Sequence, residues 1–234
     1  MAETLPIARS PIAQAPPVVV VAAWSVSAKP STSPLRLIDC TPCQKILLRT
    51  ATDTAKARSL DVDRGRVKRD GSRVLVAGIG PEEWVMIGSP GASLPSALVQ
   101  TSDGAAPSTV VDLTHARALI RIVGSDSARV LSKLCGIDFS DTRTPNDTAL
   151  RTSVARLVTE IIRDDLTEPS ASATDPRRLA RSYLIMCERS AGQYLFDTLL
   201  DAGQEFGIDI EGFGASLRYG ASLPDAFSDS ESAR

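Results

Sequence analysis

The sequence predicts an α+β fold made of two related ferredoxin-like modules, and three observations predict it. Short β-branched runs carry a period of two, as where Ala118, Ile120 and Ile122 alternate with Leu119, Arg121 and Val123. Two amphipathic patterns with helical spacing fall in the later half, over 125–135 and 190–206. Set among the strands on either side, they give the order β-α-β-β-α-β of a ferredoxin-like unit. The earlier half repeats that succession without its first helix, so the two halves read as relatives packed on one another.

Residues 1–34 are rich in Pro, Ala and Ser and read as an extended or disordered arm. Its apolar Pro17–Trp24 patch is a liability if left bare, which suggests docking on a partner or on the body. The first module, over 35–113, opens with a strand at 44–49. A polar stretch from Thr50 to Gly71 then stands where the first helix would be. Strands at 73–79 and 84–87 follow, with Pro81 and two water-facing glutamates, Glu82 and Glu83, making the turn between them. Gly78-Ile79-Gly80 is no dinucleotide fingerprint, because a third glycine is missing and the chain continues as a strand instead of opening a helix. A short helix at 94–100 and a strand at 109–113 complete the module.

The second module, over 114–213, begins after the break Asp112–Ala116, whose Asp, Thr and His suit a turn that bonds its own backbone. The strand 118–123 ends at Gly124. Ser125 is the expected N-cap of the next helix, Asp126 complements its dipole and Gly136 is its left-handed stop. A long strand or hairpin spans 149–163, a solvated polar loop 164–177 and a strand 182–187. In the helix 190–206, Ser190 and Gln193 form an S-x-x-Q capping box, and Leu195, Leu199, Ala202 and Phe206 lie along one stripe. A weak strand at 208–213 precedes an acidic tail, 214–234, expected to be disordered.

At 234 residues and 43% hydrophobic the chain can bury a sizeable core, but with 4% aromatics the aliphatics must fill it. A net charge of −2 offers no electrostatic footprint for nucleic acid. Val18–Ala23 is too short to span a bilayer, and with no basic flank it makes a poor signal peptide, so a cytoplasmic location without membrane attachment is expected. Four cysteines without a framework point the same way. Cys40 and Cys43 form a C-x-x-C, but no helix follows it and no second close pair completes a zinc site, so metal and redox use are not expected. His115, the only histidine, rules out multi-histidine metal sites. Neither catalytic nor cofactor-binding residues are assigned. Trp24, Trp84 and His115 are the candidate interface residues, since a chain poor in aromatics that sets Trp84 after a turn and Trp24 in an arm has few other anchors.

The string D-L-T-H at 112–115, followed by I-x-I-x-G-x-D-x-A over 120–128 and Ile137-Asp138, resembles the signature of the glycine-cleavage aminomethyltransferase (T-protein) superfamily. Gly80-Pro81-Glu82-Glu83-Trp84 and the run Cys187 to Leu195 are similar, more narrowly, to the gamma subunit of heterotetrameric sarcosine oxidase. The resemblance extends from about Leu37 to Gly207. It implies an accessory subunit, with no active site of its own, in a complex that oxidises sarcosine to glycine and passes the one-carbon unit to tetrahydrofolate. The implied partners are the alpha, beta and delta subunits, which would hold FAD, FMN, NAD and tetrahydrofolate, leaving this chain without a cofactor. T-proteins place a Gly-Gly turn before Asp-Asp, with a carboxylate there assisting folate chemistry. Here Val158 to Asp165 keep Asp164 and Asp165 but no glycine, so neither aspartate is expected to serve that chemistry. Two other readings remain open: a stand-alone folate-dependent aminomethyl or methyl transferase, and the equivalent subunit of a related N-methyl amino acid oxidase or dehydrogenase.

Overall fold

The computed structural model describes residues 6–69, 74–91, 108–169 and 177–216. Most of the strands form two sheets laid face to face. The six-stranded sheet comprises β4 (Arg36–Asp39), β10 (Arg117–Val123), β11 (Ala149–Val154), β12 (Leu157–Arg163), β15 (Ser182–Glu188) and β16 (Asp209–Glu211), in the order β11-β12-β15-β10-β4-β16. The five-stranded sheet comprises β5 (Gln44–Thr50), β6 (Val67–Arg69), β7 (Leu75–Gly80), β8 (Glu83–Gly88) and β9 (Ser108–Asp112), in the order β6-β7-β8-β5-β9. A third, small sheet comes from the N-terminal segment: β1 (Ala8–Arg9), β2 (Val18–Val21) and β3 (Trp24–Ser27). Strands β13 (Leu166–Pro169) and β14 (Arg177–Ala180) pair as a hairpin where a polar loop was expected.

Alternation in β10 decides the layering. Ala118, Ile120 and Ile122 point into a core shared with helices α2 (Ser127–Leu134) and α3 (Gly192–Gly203). Leu119 and Val123 point the other way, against Leu75, Ala77, Ile79, Val85 and Ile87 of the five-stranded sheet. The far face of that sheet buries Ile46, Leu48, Val76, Trp84 and Met86 under helix α1 (Ala55–Leu60). The result is four layers, helix, sheet, sheet and helix, which keeps an α+β class and covers both faces of each main sheet.

Several expectations are corrected here. The modules do not divide at 113/114: β4, from the first, is inserted between β10 and β16 of the second, antiparallel to one and parallel to the other. The stretch 50–71 contains α1, capped by the Thr54 side chain accepting from the Ala57 N–H. The helix expected at 94–100 and the tail from 217 onward lie outside the described residues. The N-terminal segment does not stand free. Ile12 is buried against the helices, and Trp24 and Val26 against the sheets.

Helix caps also differ from the sequence reading. Helix α2 starts after Asp126 with no side-chain cap; Ser127, not Ser125, bonds the chain, donating its hydroxyl to the Gly124 carbonyl at 2.7 Å. Gly124 itself is required. Its φ is +136°, and a Cβ there would sit 2.1 Å from the Pro34 carbonyl oxygen. The stop of α2 is an extended Cys135, not a left-handed Gly136. Helix α3 is entered through a 3₁₀ turn, Arg189–Ala191, so Ser190 is exposed and caps nothing, while Gln193 accepts from the Ala13 N–H of the N-terminal segment at 2.6 Å. Ser190→Ala is therefore expected to leave the denaturation midpoint unchanged to within about 0.5 kcal/mol. A loss near 1 kcal/mol would restore the capping box.

Candidate functional site

Two places gather polar and aromatic side chains from several strands and the turns beside them. The first is a surface cleft of about 530 Å³ between the N-terminal segment and the start of the five-stranded sheet. Ile7, Trp24 and Pro42 give it apolar walls, and Gln44, Asp112 and His115 a polar rim. His115 is exposed and lies flat on Trp24, ring centroids 4.9 Å apart and planes within 9°. The turn that presents it closes on itself as expected: Asp112 accepts from the Thr114 N–H at 2.7 Å. Ile7, in the wall of the cleft, and Val18 and Val20, on the face of the small sheet opposite Trp24, are each about half exposed.

Trp84 does not join them. It is 5% exposed, packed under α1, and its indole N–H donates to the Val62 carbonyl at 2.9 Å. The expectation that it anchors a partner is corrected: β8 points Trp84 into the outer core because its neighbours Val85 and Ile87 occupy the inter-sheet face. Glu83 likewise does not face water, since Arg49 at 2.5 Å and Arg151 at 2.8 Å bracket its carboxylate. Gly78 is explained by a close approach, with a Cβ there falling 2.4 Å from the Asp63 carbonyl oxygen.

The second place is an ionic seam between the sheets that sequence reasoning missed. Arg121 occupies an inter-sheet position of β10 and is 5% exposed. It donates to the Asp164 carboxylate at 2.7 Å and to the Ser182 hydroxyl at 2.7 Å. Arg69, from the five-stranded sheet, reaches both oxygens of the same carboxylate at 2.6 Å. Burial pushes the Asp164 carboxyl up, but Arg121 and then Arg69 outweigh it and hold the group below its ordinary 3.8. Arg163 grips Asp165 with two nitrogens, at 3.1 and 2.8 Å, and spends a third on Asp141 and the Thr144 carbonyl, each at 2.6 Å. Asp164 and Asp165, expected as the solvated start of a loop, are both buried and both committed to arginines. The signal was present in the sequence: an arginine at a position where strand alternation demands burial implies a carboxylate partner.

A third feature sits directly beneath the cleft. Lys45 is fully buried on β5 and its ammonium donates to the carbonyls of Thr41 and Cys43, each at 2.7 Å. Burial brings it down to about 8 from 10.5. Cys40 and Cys43 beside it are buried free thiols. Among the described residues no cluster of three or more His, Cys, Asp or Glu could hold a metal ion, and no helix is long and apolar enough to cross a membrane.

Two of the solved structures that the chain resembles are of different kinds. One is a chain of the heterotetrameric sarcosine oxidase of Corynebacterium sp. U-96, in complex with pyrrole 2-carboxylate, with a TM-score of 0.60 and 22% identity over 76% of this chain and 89% of that one. The other is the glycine cleavage system aminomethyltransferase T of Bartonella henselae, with a TM-score of 0.61 and 13% identity over 85% of this chain and 56% of that one. No protein-family model and no curated protein matches. The protein therefore has a T-protein-like fold, and spans just over half the length of the aminomethyltransferase that it matches.

Proposed function

We propose that this chain is an accessory subunit of a sarcosine-oxidase-type complex, corresponding to its gamma subunit, and that it contributes fold and surface instead of an active site. The observation that carries the reading is the pair of coverages. The match takes in 89% of a chain from a heterotetrameric sarcosine oxidase but only 76% of this one, so that oxidase contains a chain somewhat smaller than this with the same fold almost throughout. The residues agree with it. A folate-dependent transferase needs a carboxylate free to meet the one-carbon unit within about 3 Å or through one water. Here Asp164 and Asp165 are each enclosed by arginine nitrogens. The cleft at Trp24 and His115, with Ile7 in its wall, and the exposed Val20 face of the small sheet are the surfaces we assign to partner subunits. On this reading FAD, FMN, NAD and tetrahydrofolate belong to the alpha, beta and delta subunits. Choice of sarcosine or another N-methyl amino acid would lie in those polypeptides as well, so an equivalent subunit of a related oxidase or dehydrogenase has the same structural requirements.

The test is co-expression of the tagged chain with the flavoprotein subunits of a sarcosine-oxidase-type complex. The expected result is a yellow complex that oxidises sarcosine, alongside a colourless chain when it is purified alone. A stoichiometric flavin on the isolated chain, or methylene transfer to tetrahydrofolate by it alone, would overturn the proposal.

A further inference from the structure

The connection from β4 to β5 is four residues long, Cys40-Thr41-Pro42-Cys43, and it carries the chain from the six-stranded sheet into the five-stranded one. It is a closed turn: the Cys43 N–H donates to the Cys40 carbonyl at 3.0 Å. Closing i to i+3 in this way brings the two Cα atoms within about 7 Å, and a disulfide requires roughly 4.4–6.8 Å. The two sulfurs are 0% and 1% exposed and unoxidised. We propose that Cys40 and Cys43 are a redox modification site, a dithiol that closes to a disulfide on two-electron oxidation and staples the crossover between the sheets.

Two small buried thiols could be simple core filling, since free cysteine packs as a small hydrophobe. The surroundings argue otherwise. The two thiols influence each other, each being the largest cause of the other's shift, with Cys40 raised and Cys43 lowered. Lys45 places a buried ammonium against this turn, bonded to its Thr41 and Cys43 carbonyls, and Arg121 adds a second buried cation on the same side. A buried ammonium favours a nearby anion: Cys43 is the group that acts on it most, followed by the Asp39 carboxyl, which opposes a thiolate at Cys43. Neither sulfur lines the cleft, but Pro42 and Gln44, which flank Cys43, do, so the turn forms part of its wall.

The oxidant is a peroxide. The Cys43 thiolate attacks the O–O bond, forming a sulfenic acid, and the departing hydroxide takes up the proton that the thiol gave up, leaving as water. The Cys40 thiol then displaces the sulfenic hydroxyl, the S–S bond forms and a second water leaves, so two thiols and one peroxide give one disulfide and two waters. The inference concerns the free chain, in which no partner covers the cleft, and does not depend on the proposed assembly.

The full chain should be treated with hydrogen peroxide while folded, then unfolded, alkylated, cut with trypsin and weighed. Cleavage after Arg36 and Lys45 releases Leu37–Lys45, which holds both cysteines of the pair and no other. We expect this peptide to lose two hydrogens and refuse the alkyl label, to recover both on reduction, and to do so at peroxide levels that leave Cys135 and Cys187 labelled. Burial pushes Cys187 up to about 11, making it a slow internal reference. In Cys43→Ser the remaining Cys40 should stay alkylatable at those levels. Labelling of Leu37–Lys45 equal to that at Cys135 and Cys187, or its passage to sulfinic acid without a disulfide, would overturn the proposal. The wild-type measurement decides it even if the variant fails to fold.

Discussion

Asp164→Asn is expected to destabilise the folded chain by about 3–5 kcal/mol, the cost of stranding a buried cation whose partner has been neutralised. Arg121 is the cation at stake, 5% exposed and paired to Asp164 at 2.7 Å, with the Ser182 hydroxyl as its other side-chain partner. Arg69 would lose the same partner, but it is one-third exposed and can turn to water. Asp141→Asn supplies the contrast. That carboxylate also bridges two arginines, Arg163 and Arg181, yet is 67% exposed, so its loss should cost no more than about 1 kcal/mol. Acid denaturation gives an independent reading. Asp164 titrates below its unfolded value, so its contribution is complete above about pH 4 and disappears as pH falls through the lower folded value. The variant should lack that part of the acid limb. Urea midpoints that move equally little in both variants would mean that Arg121 finds another anion. Because the effect is on folding, a double change of Asp164 and Asp165 to Asn in an assembled complex would report stability before it reported any role in folate chemistry.

The same residues show what a sequence can convey. Strand β10 was legible almost residue by residue, because burial on both faces leaves a continuous apolar run from Ala118 to Val123 that only Arg121 interrupts. The partners of that arginine were not legible. Asp164 lies 43 residues away from Arg121 and 95 from Arg69, and only the stacking of two sheets brings them together. The turn of the β11–β12 hairpin was hidden for a local reason: Ala155 and Arg156 hold φ of 50° and 68° without the Asn or Gly that announces such a turn. Helix α3 was placed correctly along its buried stripe of Leu195, Leu199 and Ala202 but misjudged at its start, since a 3₁₀ turn satisfies the first donors and makes a capping side chain unnecessary. Strand β4 escaped because membership of a sheet is decided by neighbours distant in sequence. Residues 36–39 carry only two buried positions of their own. At the candidate cleft, Trp24 and His115 were both singled out, while their stacking on one another was not.

Removing residues 1–34 is expected to unfold the protein, contrary to what an extended arm would imply. Ile12, Trp24 and Val26 are 3%, 5% and 2% exposed, and each belongs to a main core cluster. Burying a large apolar side chain stabilises by about 1.5–3 kcal/mol, so losing three approaches roughly 5–9 kcal/mol. Domains of ordinary stability have about 5–15 kcal/mol in total. Truncation would also bare the Leu119 and Ile38 side of the inter-sheet core and uncover α3 where Gln193 accepts from the Ala13 N–H. A truncated chain that still unfolds cooperatively at the parent's urea midpoint would show the segment to be dispensable. It follows that truncation cannot measure the segment's part in assembly, because loss of the partner would follow loss of the fold. Substitution at its outer face can. Ile7→Asp and Val20→Asp alter side chains that are 53% and 58% exposed, and should each leave the midpoint within about 0.5 kcal/mol. A carboxylate placed in an apolar contact is left buried and unpaired when the partner docks, so recovery of flavoprotein subunits on the tagged chain should fall at least tenfold, about 1.4 kcal/mol of binding. Recovery undiminished in both folded variants would move the docking surface away from the N-terminal sheet and its cleft.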